Sequence, residues 1–218
     1  MIAITLRRLA VLGALLLCAP GMAADADSTP FHEVIALSYH DVRDDTDGAL
    51  DPDQTAVDSR RLAAQFEWLR QNGYTPVSVR QLQEAGAGGA PLPAKAVLLT
   101  FDDGYRSFYT RVFPLLKLYG YPAVMALVGS WLDVPAGKFV QYGDEQLPRE
   151  SFLTVQQIRE MQASGLIEFA SHSYNLHRGV TGNPQGNVQP ATVTAMYDPA
   201  SGQYESPAMM EARVRSDL

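Results

Sequence analysis

Cysteine is nearly absent from the chain, since Cys18 is the only one among 218 residues. A single thiol cannot form a disulfide bond within the chain, and it cannot build a zinc site of several thiolates or an iron–sulfur cluster. A metal ion would therefore be held by histidine, aspartate, glutamate or water. Histidine is also scarce, with four in the chain, so the position of each one is informative.

The sequence also lacks an apolar run long enough to cross a membrane. The segment Leu9–Cys18 is apolar, but it is far shorter than the about 20 residues that a spanning helix needs. Arg7 and Arg8 precede this segment and small residues follow it, which is the pattern of a secretory signal peptide. We therefore predict a cleaved signal peptide over residues 1–24 and no membrane span after its removal.

The processing of this segment has alternatives. Three alanines are acceptable cleavage points: Ala23, Ala24 and Ala26. Lipidation at Cys18 is the alternative to simple cleavage, although Leu17 stands where lipoprotein signals usually carry a small residue. Cleavage after Ala24 would leave a mature chain without any cysteine.

Basic residues are in the minority. The chain has 17 lysines and arginines against 24 aspartates and glutamates, a net charge of −7, which becomes 15 − 24 = −9 without the two arginines of the predicted signal. This acidic balance argues against nucleic acid and anionic membrane surfaces as partners. It is compatible with a neutral or cationic polymer.

Strand-like and helix-like segments alternate along the chain. Capping residues mark helices that begin near Asp58, Ser78 and Thr154, and another helix is predicted from Tyr105 to Tyr119. The segments predicted as strands are Val34–Tyr39, Tyr74–Val77, Ala96–Phe101, Pro122–Val128 and Leu166–Ala170. These strands are apolar without alternation, which is typical of a parallel sheet covered by helices. We therefore predict an α/β fold.

The number of predicted strands is small for a closed barrel. An eight-stranded (β/α) barrel takes about 250 residues. Here five strands are followed by a polar, Gly- and Pro-rich region over residues 179–207, and the sequence ends inside a predicted helix that starts near Ala208. We therefore expect the chain to be the front part of a longer protein, with a complete five-stranded open sheet as the alternative.

Chemically reactive side chains follow three of the predicted strands. His40 follows the first, Asp102 and Asp103 follow the third, and His172 and His177 follow the fifth. The carboxyl ends of parallel strands lie at one edge of a sheet, and functional groups collect there in α/β folds. We therefore expect the three groups to meet.

Two imidazoles and one carboxylate form a ligand set for a divalent metal with open positions. His172 and His177 are five residues apart, which on a helix separates them by about 140°. They can converge if His177 lies on a loop after the strand. One of the two adjacent aspartates would complete the ligand set, and the other would lie near a metal-bound water as general base.

Two motifs resemble those of polysaccharide deacetylases, the NodB-homology domains of carbohydrate esterase family 4. The motifs are TFDDG over Thr100–Gly104 and SHSYNLH over Ser171–His177. The common form of the second motif spaces the histidines four apart rather than five. In this spacing, and over Leu37–Asp41 and Leu69–Val79, the sequence resembles one branch of the family. That branch contains secreted enzymes that deacetylate the biofilm polysaccharide poly-β-1,6-N-acetyl-D-glucosamine. The resemblance covers about residues 31–218.

The resemblance implies a fold and a set of site residues. The fold would be a distorted seven- or eight-stranded (β/α) barrel of the NodB type, of which about five strands are present. Asp102 would be the general base, and Asp103, His172 and His177 would hold a divalent ion such as zinc, cobalt, nickel or iron(II). His40 would lie in the same pocket as an acid or a substrate contact.

Aromatic side chains are candidates for stacking on sugar rings, because their faces offer apolar area beside polar edges. The candidates are Tyr105, Trp131, Tyr174 and, in addition, Tyr142. We expect one or two of them to touch substrate and the others to be ordinary core or surface residues.

The resemblance implies a hydrolase that removes N-acetyl groups from the polysaccharide and releases acetate. It also implies a periplasmic enzyme, with association with the outer membrane and with a polysaccharide export apparatus as open possibilities. Deacetylation of peptidoglycan, chitin or xylan is the alternative. The family's later motifs, which include an arginine that orients the catalytic aspartate, do not occur before Leu218. An inactive glycan-binding fragment is therefore a further alternative.

Overall fold

The computed structural model describes residues 34–44 and 56–217. The predicted signal peptide, Cys18 and His32 lie outside the described residues. The strands are β1 (Ile35–Tyr39), β2 (Asp41–Arg43), β3 (Ala56–Asp58), β4 (Thr75–Pro76), β5 (Ala96–Phe101), β6 (Ala123–Leu127), β7 (Phe139–Tyr142), β8 (Glu145–Pro148), β9 (Ile167–Ser171), β10 (Gly179–Thr181), β11 (Val188–Pro190), β12 (Tyr197–Asp198) and β13 (Gln203–Tyr204). The α-helices are α1 (Ser59–Gln71), α2 (Val79–Gly86), α3 (Phe113–Tyr119), α4 (Gly129–Leu132), α5 (Val155–Ala163) and α6 (Pro207–Arg215).

A five-stranded parallel sheet organises the chain. The strands lie in the order β1-β5-β6-β9, and β4 pairs with the first residues of β5. These are the five strands predicted from the sequence, each within two residues of its predicted ends. The pairs Tyr39↔Phe101 and Leu127↔Ser171 place the carboxyl ends of the strands at one edge of the sheet.

The helices pack on the sheet through spaced apolar residues. On α1, Leu62, Phe66 and Leu69 are buried, and their spacing places them on one face of the helix. They join a core that contains Leu99 and Phe101 of the central strand. The helix predicted to begin near Asp58 is confirmed.

Local capping signals define three helix starts. Asp58 accepts hydrogen bonds from the backbone N–H groups of the first turn of α1. Ser78 with Gln81, and Thr154 with Gln157, form complete capping boxes at α2 and α5. In each box the side chains satisfy backbone donors that a helix start leaves unpaired.

Two segments differ from the predictions. The helix expected from Tyr105 to Tyr119 contains a π-helical turn at Phe108–Val112 before α3 begins. The connection from 129 to 150 contains α4 and the hairpin β7–β8, and neither element was predicted from the sequence. This hairpin turns at the positive-φ Gly143 and packs Val140 against Trp131 and Phe152. Such packing is a long-range contact that strand periodicity does not show.

The C-terminal part of the described chain has its own small core. The hairpins β10–β11 and β12–β13 precede α6, whose first turn is capped by Ser206. Leu176, Val180 and Ala191 are buried there, with Val214 of α6 packed against them. No helix in the described part of the chain is long and apolar enough to cross a membrane.

Candidate active site

Three predicted ligand residues meet at the carboxyl edge of the sheet. Asp103 follows β5, while His172 and His177 follow β9. Their potential ligand atoms all lie within 4.8 Å of one another. The Nε2 atoms of His172 and His177 are 3.5 and 3.3 Å from Asp103 Oδ1. His177 reaches this position from a loop and not from a helix.

The carboxylate of Asp103 is arranged for a further ligand. Its side chain is fully buried, and Oδ2 accepts a hydrogen bond of 3.0 Å from the Tyr142 hydroxyl. Among the described residues, Oδ1 receives no hydrogen bond. A buried carboxylate oxygen without a partner is costly, whereas a cation between Oδ1 and the two imidazoles would satisfy it. The three residues therefore fit a divalent metal ion.

A strained turn places the Asp103 carboxylate at the carboxyl edge of the sheet. Asp103 and Gly104 have φ angles of 73° and 74°, in the left-handed region that non-glycine residues rarely adopt. A Cβ atom on Gly104 would lie 2.8 Å from Leu127 Cδ2, so a larger residue would have to displace that side chain in addition to adopting a strained backbone. The Gly104 carbonyl accepts a hydrogen bond from Leu153 N–H at 2.8 Å, which holds the turn from the other side. Backbone strain of this kind is characteristic of functional sites.

Asp102 occupies a different environment from its neighbour. It is half-buried, and its N–H donates to the Tyr39 carbonyl at 2.9 Å. Its carboxylate accepts a hydrogen bond of 3.3 Å from Ser38 Oγ. The adjacent aspartates therefore lie at the same edge, one enclosed by the two histidines and the other more open to solvent.

His40 lies at the same edge, between β1 and β2, and is half-buried. Within the described residues it is not a member of the ligand group formed by Asp103 and the two histidines. Its place after β1 was expected from the sequence.

Aromatic rings form a wall behind the ligand group. Trp131 contacts His177 edge-on, with 5.2 Å between ring centroids, and packs on Phe152 at 4.9 Å. Tyr105 stacks on Phe152 at 5.2 Å. Trp131 and Tyr105 are only 6% and 7% exposed, so their faces are covered by protein.

Tyr174 differs from these rings because it is 49% exposed. Its hydroxyl donates to Asp133 Oδ2 at 2.8 Å, which fixes the orientation of the ring. Of the three aromatic residues first named as substrate contacts, it alone presents open ring surface.

Tyr142 has a role that sequence reasoning missed. It was one of four candidates for a sugar contact, and in the structure its hydroxyl donates a hydrogen bond to Asp103 from the hairpin β7–β8. Burial, together with the negative charge of Asp103, raises the pKa of Tyr142 to about 12, so the phenol remains a neutral donor. No spacing in the sequence links residues 103 and 142, and only a prediction of the hairpin could have found this contact.

A cleft of about 790 Å³ opens beside Tyr105 and Tyr142. Its lining includes both basic and acidic side chains, among them Arg106, Arg111 and Glu145. Tyr105 stacks on Phe152 and Tyr142 donates a hydrogen bond to Asp103, so the cleft reaches the neighbourhood of the ligand group.

Comparison with known proteins agrees with this arrangement. The profile of the family Polysaccharide deacetylase matches residues 89–200, which include both aspartates and both histidines. The poly-β-1,6-N-acetyl-D-glucosamine N-deacetylase of Escherichia coli K12 is 49% identical over 188 residues, which are 86% of this chain and 28% of that protein. The chain thus spans less than a third of the length of this curated relative.

Two solved structures share the fold. The BpsB deacetylase domain from Bordetella bronchiseptica has a TM-score of 0.75 and 52% identity, and the match covers 85% of this chain and 71% of that one. The de-N-acetylase from Aggregatibacter actinomycetemcomitans has a TM-score of 0.79 and 43% identity, over 84% and 70% of the two chains. The expected α/β fold class of NodB-type deacetylases is confirmed, with part of the barrel present here. On its motifs, its fold and these matches, the chain belongs to the polysaccharide deacetylase family.

Proposed function

We propose that this protein is a metal-dependent N-deacetylase that hydrolyses acetamide groups of poly-β-1,6-N-acetyl-D-glucosamine and releases acetate. The observation that carries the proposal is the buried Asp103 Oδ1, which faces two imidazole nitrogens and receives no hydrogen bond within the described residues. The polysaccharide is taken from the name of the relative that is 49% identical.

Asp103, His172 and His177 would hold the ion. One carboxylate and two imidazoles suit zinc, cobalt, nickel and iron(II) alike. When bound, the ion would polarise the acetamide carbonyl and lower the pKa of a water molecule toward about 7. Tyr142 supports this arrangement because its hydrogen bond occupies Oδ2 of Asp103 and leaves Oδ1 for the metal.

We assign to Asp102 the role of the general base, which accepts a proton from the attacking water. Two adjacent carboxylates in different environments can divide two roles between them. Asp103 is enclosed by the histidines, whereas Asp102 is half-buried and accepts a long hydrogen bond from Ser38 Oγ. Asp102 would take a proton from water as the water oxygen bonds to the amide carbon, in the manner of a general base.

His40 would act on the leaving group or on the bound sugar. The carbon–nitrogen bond breaks as the amine nitrogen gains a proton, and the products are acetate and a glucosamine unit of the polymer. A half-buried imidazole at the same edge is suited to donate that proton. Tyr174 is the aromatic residue that we assign to the sugar, because its ring is exposed and oriented by Asp133.

The cellular setting is part of the same proposal. Residues 1–24 would direct export and then be removed, and the deacetylase domain would extend from about residue 31. The enzyme would act in the periplasm on polymer that is being exported, in association with the export apparatus.

The proposal is tested by measuring acetate release from a β-1,6-linked N-acetylglucosamine oligomer before and after removal of metal with a chelator. We expect release by the loaded protein, loss of release after chelation, and recovery when a divalent ion is restored. A β-1,4-linked chitin oligomer serves as the matched substrate control and is expected to react more slowly. Equal or faster release from chitin would overturn the assignment of substrate, and release that survives chelation would overturn the role of the metal.

A further inference from the structure

The loop between the two histidines has an unusual backbone course. Ser173, directly after His172, has a φ angle of 80°. The next two backbone N–H groups, of Tyr174 and Asn175, both donate to the carboxylate of Asp217, at 2.7 and 2.6 Å. Each N–H binds a different oxygen of that carboxylate. Hydrogen bonds to a charged acceptor at these distances are strong ones.

The other side of the loop is also held. The carbonyls of Ser173 and Tyr174 accept hydrogen bonds from the N–H groups of Gly129 and Ser130, at 3.1 and 2.7 Å. Leu176 N–H donates to Ser173 Oγ at 3.1 Å. The loop is therefore fixed between α4 on its carbonyl side and Asp217 on its N–H side.

Asp217 is itself held in place by the C-terminal core. It follows α6, and its N–H donates to the Val214 carbonyl at 3.2 Å. Arg213 anchors that helix through a two-pronged ion pair with Glu205, at 3.0 and 2.8 Å, and through the carbonyls of Ala191 and Thr194, at 2.6 and 3.0 Å. The Arg213 and Glu205 side chains are largely buried, so this anchor excludes most solvent.

We propose that Asp217 is a positioning residue for the metal ligands His172 and His177. The inference rests on the metal site of the proposed function. The histidines are five positions apart, and the loop between them presents two successive N–H groups on one side, for which Asp217 supplies both acceptors. By fixing these groups, Asp217 holds Nε2 of His177 within 3.3 Å of Asp103 Oδ1. Residues that orient metal ligands typically change metal affinity by about 10- to 100-fold when removed.

The test is a titration of Zn²⁺ into the chelator-stripped protein by calorimetry, for wild type, Asp217→Ala and Asp217→Asn. We expect Asp217→Ala to bind Zn²⁺ about 10- to 100-fold more weakly. Asp217→Asn keeps one acceptor oxygen, and its Zn²⁺ affinity is expected to lie between that of the wild type and that of Asp217→Ala. The near-isosteric Asp217→Asn also keeps the test informative if Asp217→Ala does not fold.

Asp198→Ala is the matched control. Asp198 also caps backbone, since it accepts from Ala200 N–H at 2.9 Å and from Ser201 Oγ at 2.7 Å in the β12–β13 turn. Both alanine variants are expected to lower the melting temperature of the metal-free protein, but only Asp217→Ala should lose Zn²⁺ affinity. A purely structural role for Asp217 would lower stability and leave affinity unchanged, which would overturn the proposal.

The outcomes separate this inference from the proposed function. If the wild type binds Zn²⁺, and Asp217→Ala and Asp217→Asn bind it more weakly, the positioning role stands even when no acetate is released. In that case the proposed reaction alone is wrong. If the wild type does not bind a divalent ion, both proposals are overturned.

Discussion

Replacing Asp103 with asparagine is expected to remove tight binding of divalent metal. The substitution preserves the shape of the side chain but deletes the negative charge between the two histidines. We expect affinity for Zn²⁺ to fall by more than the about 100-fold that the loss of a residue orienting the ligands can cause, because Asp103 would be a ligand itself. Calorimetric titration of the stripped protein measures the change.

Thermal unfolding provides a second measurement of the same prediction. A ligand at about 100 times its Kd stabilises a folded protein by roughly 2.7 kcal/mol, so Zn²⁺ should raise the melting temperature of the wild type and leave that of Asp103→Asn unchanged. Asp144→Asn is the matched control, because Asp144 is exposed in the β7–β8 turn. Zn²⁺ affinity of Asp103→Asn within tenfold of wild type would show that this carboxylate is not a ligand.

Truncation of Phe101 is expected to cause a large loss of stability. Phe101 ends β5 directly before Asp102 and is fully buried. Its ring packs on Tyr39 and on Phe108, each with 4.9 Å between ring centroids. Phe101→Ala should lower the free energy of unfolding by about 3–5 kcal/mol, because the transfer free energy is lost and a cavity remains. Urea denaturation at equilibrium measures this change.

Phe139→Ala is the control for this prediction. Phe139 lies in β7 and is 59% exposed, so its removal is expected to change stability by less than about 0.5 kcal/mol. A loss below about 1 kcal/mol for Phe101→Ala would contradict the placement of this ring in the core. It would also contradict the position given to Asp102 and Asp103, because the packing of Phe101 is what holds the end of β5 directly before them.

The features that the sequence predicted are those with local causes. The apolar run of β5 ends on Asp102 and Asp103 because a buried strand cannot continue through two charges. The capping boxes at Ser78 and Thr154 place polar side chains three residues apart, which is visible without any structure. Parallel strands then bring their carboxyl ends together, so the meeting of the aspartates and histidines follows from the fold class.

Other features depend on contacts between distant segments. The bond from Tyr142 to Asp103 joins residues 39 positions apart, and that from Asp217 to Tyr174 joins residues 43 apart. Neither has a periodicity or a motif of its own. The burial of Tyr105 and Trp131 has the same origin, because the hairpin β7–β8 covers rings that would otherwise be open.

The division of labour between the adjacent aspartates is tested by acetate release from metal-loaded wild type and metal-loaded Asp102→Asn at equal metal occupancy. General-base catalysis contributes about 10²- to 10⁴-fold. We therefore predict that Asp102→Asn binds metal as tightly as the wild type and releases acetate slower by that factor. Release at the wild-type rate would contradict the role of Asp102 as base. Much weaker metal binding by Asp102→Asn would show that Asp102 takes part in holding the metal, which contradicts the assignment of that role to Asp103 alone of the two aspartates.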